Sequence, residues 1–136
     1  MDKNLSKKLQ DKALSTQKNA HVPYSDFKVG AAVLSDSNTM YSGCNVENAA
    51  YPLGQCAEAT AIGNMVAAGD KRLAAVTIAS PDDNFCYPCG GCRQKIAEFA
   101  DDEVVVTLVN QRGETKQHTI GELLPYAFRF TKPAKQ

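Results

Sequence analysis

Apolar residues near the start of the chain recur at helical spacing. Leu5, Leu9 and Ala13 or Leu14 fall on one stripe, which predicts a helix from about Asp2 to Lys18. His21-Val22-Pro23 closes it, because the residue before a proline avoids helical angles. Phe27 to Leu34 is apolar and partly β-branched, Ser35-Asp36-Ser37-Asn38 is turn-forming, and Thr39 to Val46 alternates, so this stretch predicts a hairpin. Cys56 to Ala68 is alanine-rich and helical, with Gly69 as its stop signal. Leu73 to Ala79 is apolar at both parities, as a central strand buried on two faces requires. Cys89 to Ala100 predicts another helix and Val104 to Val109 another buried strand. Gln111-Arg112-Gly113-Glu114 turns into a polar segment, taken here as a sheet-edge strand. Thr119-Ile120-Gly121-Glu122 is a capping box that opens a short helix ending before Pro125. The order α-β-β-α-β-α-β with its polar edge predicts an α/β fold. Its architecture is a three-layer α-β-α sandwich around a mixed five-stranded sheet, with an antiparallel hairpin and parallel strands joined by right-handed crossovers.

The chain has 136 residues, no internal repeat and no linker, so 1–136 is expected to form a single domain with a core of its own. Its 15 basic and 15 acidic residues give zero formal net charge. A polynucleotide partner normally demands a basic face, so this balance points to a small-molecule partner. No segment approaches membrane-spanning length, and the charged start Met1-Asp2-Lys3-Asn4-Leu5-Ser6-Lys7-Lys8 lacks the apolar core of a secretory signal. With five cysteines, an odd number, the expectation is a cytoplasmic protein whose thiols are reserved for metal.

Those thiols carry the chemistry. Cys56-Ala57-Glu58 and Pro88-Cys89-Gly90-Gly91-Cys92 each stand where a helix is predicted to begin. Three thiolates leave a tetrahedral zinc one open position, which a hydrolytic site needs and a structural site avoids. The carboxylate of Glu58 then moves protons for the water held there. Helix starts lower thiol pKa through free amides and the helix dipole, favouring the metal-binding thiolate. Residues two apart lie about 200° around a helix axis, so Cys56 and Glu58 share a pocket only if the helix begins at or near Cys56. Alone, Glu58 reads as a solvated first-turn glutamate and Cys89 with Cys92 as a redox pair or half a structural zinc site. Cys86 adds a rival, a closed four-cysteine site that would be structural. The ferredoxin-like run Cys86-x-x-Cys89-x-x-Cys92 lacks the further cysteine that pattern needs. Cys44 reads as a small buried apolar residue.

Four stretches carry a wider likeness: Tyr24-Ser25-Asp26-Phe27-Lys28-Val29-Gly30-Ala31-Ala32, Gly43-Cys44-Asn45-Val46-Glu47-Asn48-Ala49-Ala50-Tyr51, Cys56-Ala57-Glu58 and Pro88-Cys89-Gly90-Gly91-Cys92-Arg93-Gln94. With the weaker Leu123-Leu124-Pro125 and Phe128, the chain resembles the small zinc-dependent cytidine deaminases of pyrimidine salvage. The resemblance implies one Zn²⁺ per subunit on Cys56, Cys89 and Cys92. Glu58 is implied as the catalytic proton carrier, converting cytidine and 2′-deoxycytidine to uridine and 2′-deoxyuridine with release of ammonia. It also implies that Asn45 and Glu47 bind the ribose hydroxyls and that Phe27 and Ala57 line the base pocket. Tyr51 and Phe128 are implied to complete neighbouring subunits' sites in a homotetramer. Turn chemistry for Asn45 and Glu47, and plain core packing for Phe27, are the simpler readings of those residues taken alone. Two positions depart from the family pattern. Ala59 stands where three-cysteine members usually carry an arginine that offsets thiolate charge, and Tyr87 stands where serine or threonine is usual. Arg93 by adjacency, and the helix amides, are candidate compensators. The competing functions are deamination of a modified cytosine nucleoside or a nucleoside antibiotic such as blasticidin S, a non-catalytic structural zinc module, and, least supported without basic excess or tryptophan, a polynucleotide deaminase.

Overall fold

The computed structural model describes residues 2–130; Met1 and residues 131–136 of the expected domain lie outside the described residues. Helix α1 spans Lys3–Gln17, strands β1 and β2 span Gly30–Ser35 and Met40–Cys44, and a single 3₁₀ turn covers Tyr51–Leu53. Helix α2 (Ala57–Ala67), strand β3 (Leu73–Ala79), helix α3 (Gly90–Phe99), strands β4 (Val105–Val109) and β5 (Thr115–Thr119) and the short helix α4 (Ile120–Leu123) follow.

The five strands form one sheet in the order β2-β1-β3-β4-β5. β1 pairs antiparallel with both β2 and β3, β3 and β4 are parallel, and β5 closes the edge antiparallel to β4. Strand alternation builds three layers from this sheet. Ala31 and Val33 of β1, Val76 and Ile78 of β3, and Val106 and Leu108 of β4 share a core with Ala61, Ile62, Met65, Ile96 and Ala97 of α2 and α3. The opposite parity, Ala32, Leu34, Ala75, Ala79 and Val109, packs on Leu9 and Ala13 of α1. β3 is covered on both faces, which explains its uniformly apolar sequence.

Element ends follow identifiable chemistry. Asp2 caps α1 by accepting from the Leu5 amide at 2.7 Å. At the end of α2, Asp70 N–H donates to Met65 O and Gly69 N–H to Val66 O, a Schellman closure that needs the left-handed φ of 103° at Gly69. Thr119 and Glu122 form the reciprocal capping box of α4.

Two boundaries differ from the sequence expectation. β1 begins at Gly30 rather than Phe27, because the Asn45 side chain occupies the polar groups there. Asn45 Oδ1 accepts from Val29 N–H at 3.0 Å and Nδ2 donates to Phe27 O at 2.9 Å, so an amide side chain replaces strand pairing. β2 ends at Cys44, after which Val46 bridges singly to His21 and Gln55. Cys44 itself is half-buried rather than buried.

Gly43 sets the distance between β2 and α2. It lies opposite Ala31 on the α2-facing side of the sheet, and a Cβ there would strike the Thr60 side chain and the backbone of Ala57 and Ala61. Helix and strand therefore approach more closely than any side chain permits. Gly43→Ala is expected to cost about 2 kcal/mol or more through overpacking against backbone, read as a lower urea midpoint at unchanged slope.

Candidate active site

The first turns of α2 and α3 meet at the sulfurs. Cys56 is the N-cap of α2 and Cys89 the N-cap of α3, both in extended conformation and neither spending its side chain on a cap hydrogen bond. Cys92 lies one turn into α3 and is buried. The three Sγ atoms all lie within 4.8 Å of one another. A tetrahedral zinc with bonds of about 2.3 Å holds its sulfurs about 3.8 Å apart, so the donor set fits that ion. The Cys56 thiol is pushed down to about 6, first by hydrogen bonding to Cys92, then by Cys89 and the charge of Lys95, against the opposing effect of burial. Cys92, the partner in that hydrogen bond, is pushed the other way.

Cys86 stands outside this group. It is half-buried against the core beneath α2 and α3, and burial pushes its thiol up to about 11, away from the thiolate a metal requires. Among the described residues no fourth sulfur closes the site.

Glu58 is 4% exposed at the second helical position of α2, where the chain has only just become helical and the 200° offset from Cys56 has not yet developed. Burial pushes its carboxyl up to about 7; its own amide and Lys95 oppose that rise, and Cys56 adds to it. Ala57, between the two, is fully buried. The solvated-glutamate alternative fails on burial alone.

The other expected residues lie outside the sulfur cluster. Glu47 accepts from the Tyr24 and Ser25 amides at 3.0 and 3.1 Å and from the Ser25 hydroxyl, and these bonds, led by the hydroxyl, hold its carboxyl below the usual range. With Tyr24, Ser25, Asn48, Tyr51 and Gly54 it lines a cavity of about 380 Å³, which includes neither Glu58 nor the sulfurs. Phe27 is 38% exposed and follows Asp26, whose φ is 56°. Tyr51 is exposed and packs edge-on against Tyr24, with ring centroids 5.9 Å apart. Phe128 is also exposed, and Gln94 of α3 donates to its carbonyl at 2.8 Å.

Both departures from the family pattern have visible surroundings. Arg93 donates from Nε to Pro88 O and from Nη1 to Leu123 O, each at 2.8 Å, so these donors tie the loop to α4 rather than answer the thiolates. Tyr87 turns toward β5. Its hydroxyl lies 3.3 Å from His118 Nε2, and the two rings are 5.5 Å apart. Sequence reasoning overlooked the Ser25–Glu47 bond, which no spacing rule announces.

Two helix starts presenting three thiols, with a buried glutamate on the first turn of one of them, define a zinc hydrolase site of the nucleoside deaminase type. The comparisons agree. Residues 3–108 match the family described as the cytidine and deoxycytidylate deaminase zinc-binding region, and the chain belongs to that family. It is 41% identical over 121 residues to the cytidine deaminase of Sporosarcina psychrophila, covering 89% of each chain. It is 40% identical over 129 residues to a probable cytidine deaminase of Dictyostelium discoideum, covering 94% of this chain and 86% of that one. The crystal structure of cytidine deaminase from Burkholderia pseudomallei superposes with a TM-score of 0.86 at 38% identity, covering 94% of this chain and all of that one.

The raised Glu58 carboxyl makes stability pH-dependent when metal is removed. Its folded pKa of about 7 exceeds the ordinary 4.5, so between those values the folded state binds more protons and stability falls as pH rises. Metal-free Glu58→Gln lacks this loss. From pH 4 to pH 8 it is expected to gain on the order of 3 kcal/mol relative to the metal-free parent, measured by urea unfolding at each pH.

Proposed function

We propose that this chain catalyses zinc-dependent hydrolytic deamination of cytidine and 2′-deoxycytidine, giving uridine or 2′-deoxyuridine and ammonia. The observation that carries this reading is the buried Glu58 beside three convergent thiols. Cys56, Cys89 and Cys92 would hold the zinc ion, which would supply Lewis-acid activation of water. Glu58 would move both protons of the attacking water: the first from the water to ring nitrogen N3, the second from the hydroxyl then joined to C4 to the amine, which leaves as ammonia while the C4 carbonyl forms. A carboxyl held near 7 by burial accepts and returns a proton at neutral pH with little bias either way.

Asn45 and Glu47 bind the ribose hydroxyls. Glu47 keeps an acceptor site on Oε2 beyond the Ser25 bond, and Asn45 keeps one N–H beyond its bond to Phe27. The backbone contacts hold both groups in a fixed orientation before substrate arrives, which lowers the entropic cost of binding. Phe27 and Ala57 wall the base. A ribose-binding pair of this kind favours ordinary nucleosides over blasticidin S-like antibiotics, and Glu58 has no task in a structural zinc module.

The protein works as a homotetramer in the cytoplasm, with Tyr51 and Phe128 completing neighbouring sites. Tyr51 and Phe128 are 75% and 70% exposed, which leaves both rings available to a neighbouring chain. Five free cysteines suit a reducing compartment. Among the described residues no helix is long and apolar enough to cross a membrane.

Purified protein is expected to release ammonia from cytidine and deoxycytidine and to carry about one zinc per chain. Glu58→Ala should lower kcat by about 10³-fold or more while zinc content stays unchanged. Stoichiometric zinc without turnover on any cytosine nucleoside sinks the assignment. Mixing Glu58→Ala chains with Tyr51→Ala chains, each nearly inactive, should regain activity through hybrid sites. Mixtures no better than their components, or a monomer by sedimentation, would exclude shared sites.

A further inference from the structure

The two oxygens of the Glu47 carboxylate are held by different means. Oε1 accepts from the amides of Tyr24 and Ser25 at 3.0 and 3.1 Å, which fills both of its lone pairs. An oxygen fixed in this way is a pivot about which the rest of the carboxylate can still turn. Oε2 has one protein partner among the described residues, the hydroxyl of Ser25. An ionised carboxylate only accepts, so Ser25 is the donor in that bond. The hydroxyl is itself fixed. Its oxygen accepts from the Phe27 amide at 3.0 Å, across a turn in which Asp26 takes a left-handed φ of 56° and donates from its own amide to Val22 O at 3.0 Å. The Glu47 amide donates to His21 O at 2.8 Å, so its main chain is pinned to the same segment. Glu47 is thus tied at its backbone, at Oε1 and at Oε2, and only the last tie is a side chain that can be removed with the others left in place. Ser25 and Glu47 line the same cavity of about 380 Å³, a size within the range of small-molecule sites.

We propose that Ser25 is a positioning residue for sugar recognition: its hydroxyl stops the Glu47 carboxylate from turning about Oε1 and leaves one lone pair of Oε2 for a substrate hydroxyl. This inference rests on the ribose-binding role proposed for Glu47. Ser25 acts through that carboxylate and needs no contact with the sugar. Without the hydroxyl the carboxylate samples further orientations, and part of the binding energy goes into ordering it when substrate arrives. The sulfurs and Glu58 take no part in these bonds, so the effect falls on binding rather than on the chemical step. Phe27 keeps its carbonyl tie to Asn45 when the Ser25 hydroxyl is removed.

The test compares nucleosides with and without sugar hydroxyls on the zinc-loaded full chain. Ser25→Ala is expected to raise KM for cytidine about tenfold with kcat within about twofold. Ser25→Thr keeps a hydroxyl donor and should return KM to within about threefold of the parent. For 2′,3′-dideoxycytidine, which offers Glu47 no hydroxyl at C2′ or C3′, Ser25→Ala should change KM less than about twofold. In a Glu47→Ala background, Ser25→Ala should add less than about twofold to KM for cytidine, because the group it positions is gone. Equal KM shifts on cytidine and dideoxycytidine, or Ser25 and Glu47 effects that multiply independently, overturn the proposal. Calorimetric binding of uridine and 2′,3′-dideoxyuridine to the same variants needs no turnover and so separates this inference from the deamination reading. Weaker uridine binding by Ser25→Ala, with dideoxyuridine unaffected, supports the role of Ser25 even where no cytosine nucleoside is deaminated. Deamination with uridine affinity unmoved by Ser25→Ala overturns that role alone, and a parent chain that neither deaminates cytidine nor binds uridine overturns both.

Discussion

The site depends on two helices whose N-termini point at the same small volume. A helix start carries unsatisfied amides and a partial positive charge, and here that field falls on sulfurs that would otherwise be reluctant to ionise together. Placing Cys56 and Cys89 at the N-cap rather than inside the helix serves a second purpose. It frees both side chains from the radial geometry of the helix, so donors on separate elements converge within 4.8 Å. The sheet makes that convergence reproducible. α3 is the crossover between parallel β3 and β4, and α2 is pressed onto β2 at Gly43, where no side chain intervenes. Sheet order and one close contact therefore fix the metal site more firmly than any loop does.

Burial of Glu58 is the counterpart of that convergence. An ionised carboxylate with 4% exposure is costly, and the protein answers by holding it near neutrality rather than by pairing it with an arginine. Glu47 shows the opposite solution. It is held by two amides and a hydroxyl, which keeps it ionised. Two carboxylates of similar intrinsic acidity are thus set apart by environment, one raised by burial and the other lowered by hydrogen bonds.

Much of this was legible in the amino-acid order because the deciding signals are local. β3 was bounded correctly at Leu73 and Ala79 because its apolar run is flanked by polar residues, and α2 was legible through its alanine content and Gly69. The metal set was legible because N-cap cysteines and a near glutamate are a sequence-local pattern. What escaped was long-range. The late start of β1 is decided by Asn45, whose amide substitutes for strand pairing across 16 and 18 residues. The turning of Tyr87 toward His118 is decided by β5, 31 residues away, so no window around the Pro88-Cys89 motif contains it.

The departure at Ala59 shows why a missing motif residue is weak grounds for expecting a missing property. Electrostatics depends on distance and dielectric, not on which helix carries the charge, so a cation on α3 can answer the same thiolates as one on α2. The two are not equivalent in every respect. An arginine presents a planar fork that hydrogen-bonds sulfur from fixed directions, whereas a lysine on a flexible stem acts as a hydrated point charge. Charge relief from an exposed lysine is therefore more open to salt screening than relief from a buried guanidinium, and it imposes less geometry on the sulfurs. The sulfurs here take their geometry from backbone instead. The N-cap conformations of Cys56 and Cys89 and the Gly43 contact hold them, and this division of labour lets position 59 shrink to a methyl group without dissolving the site.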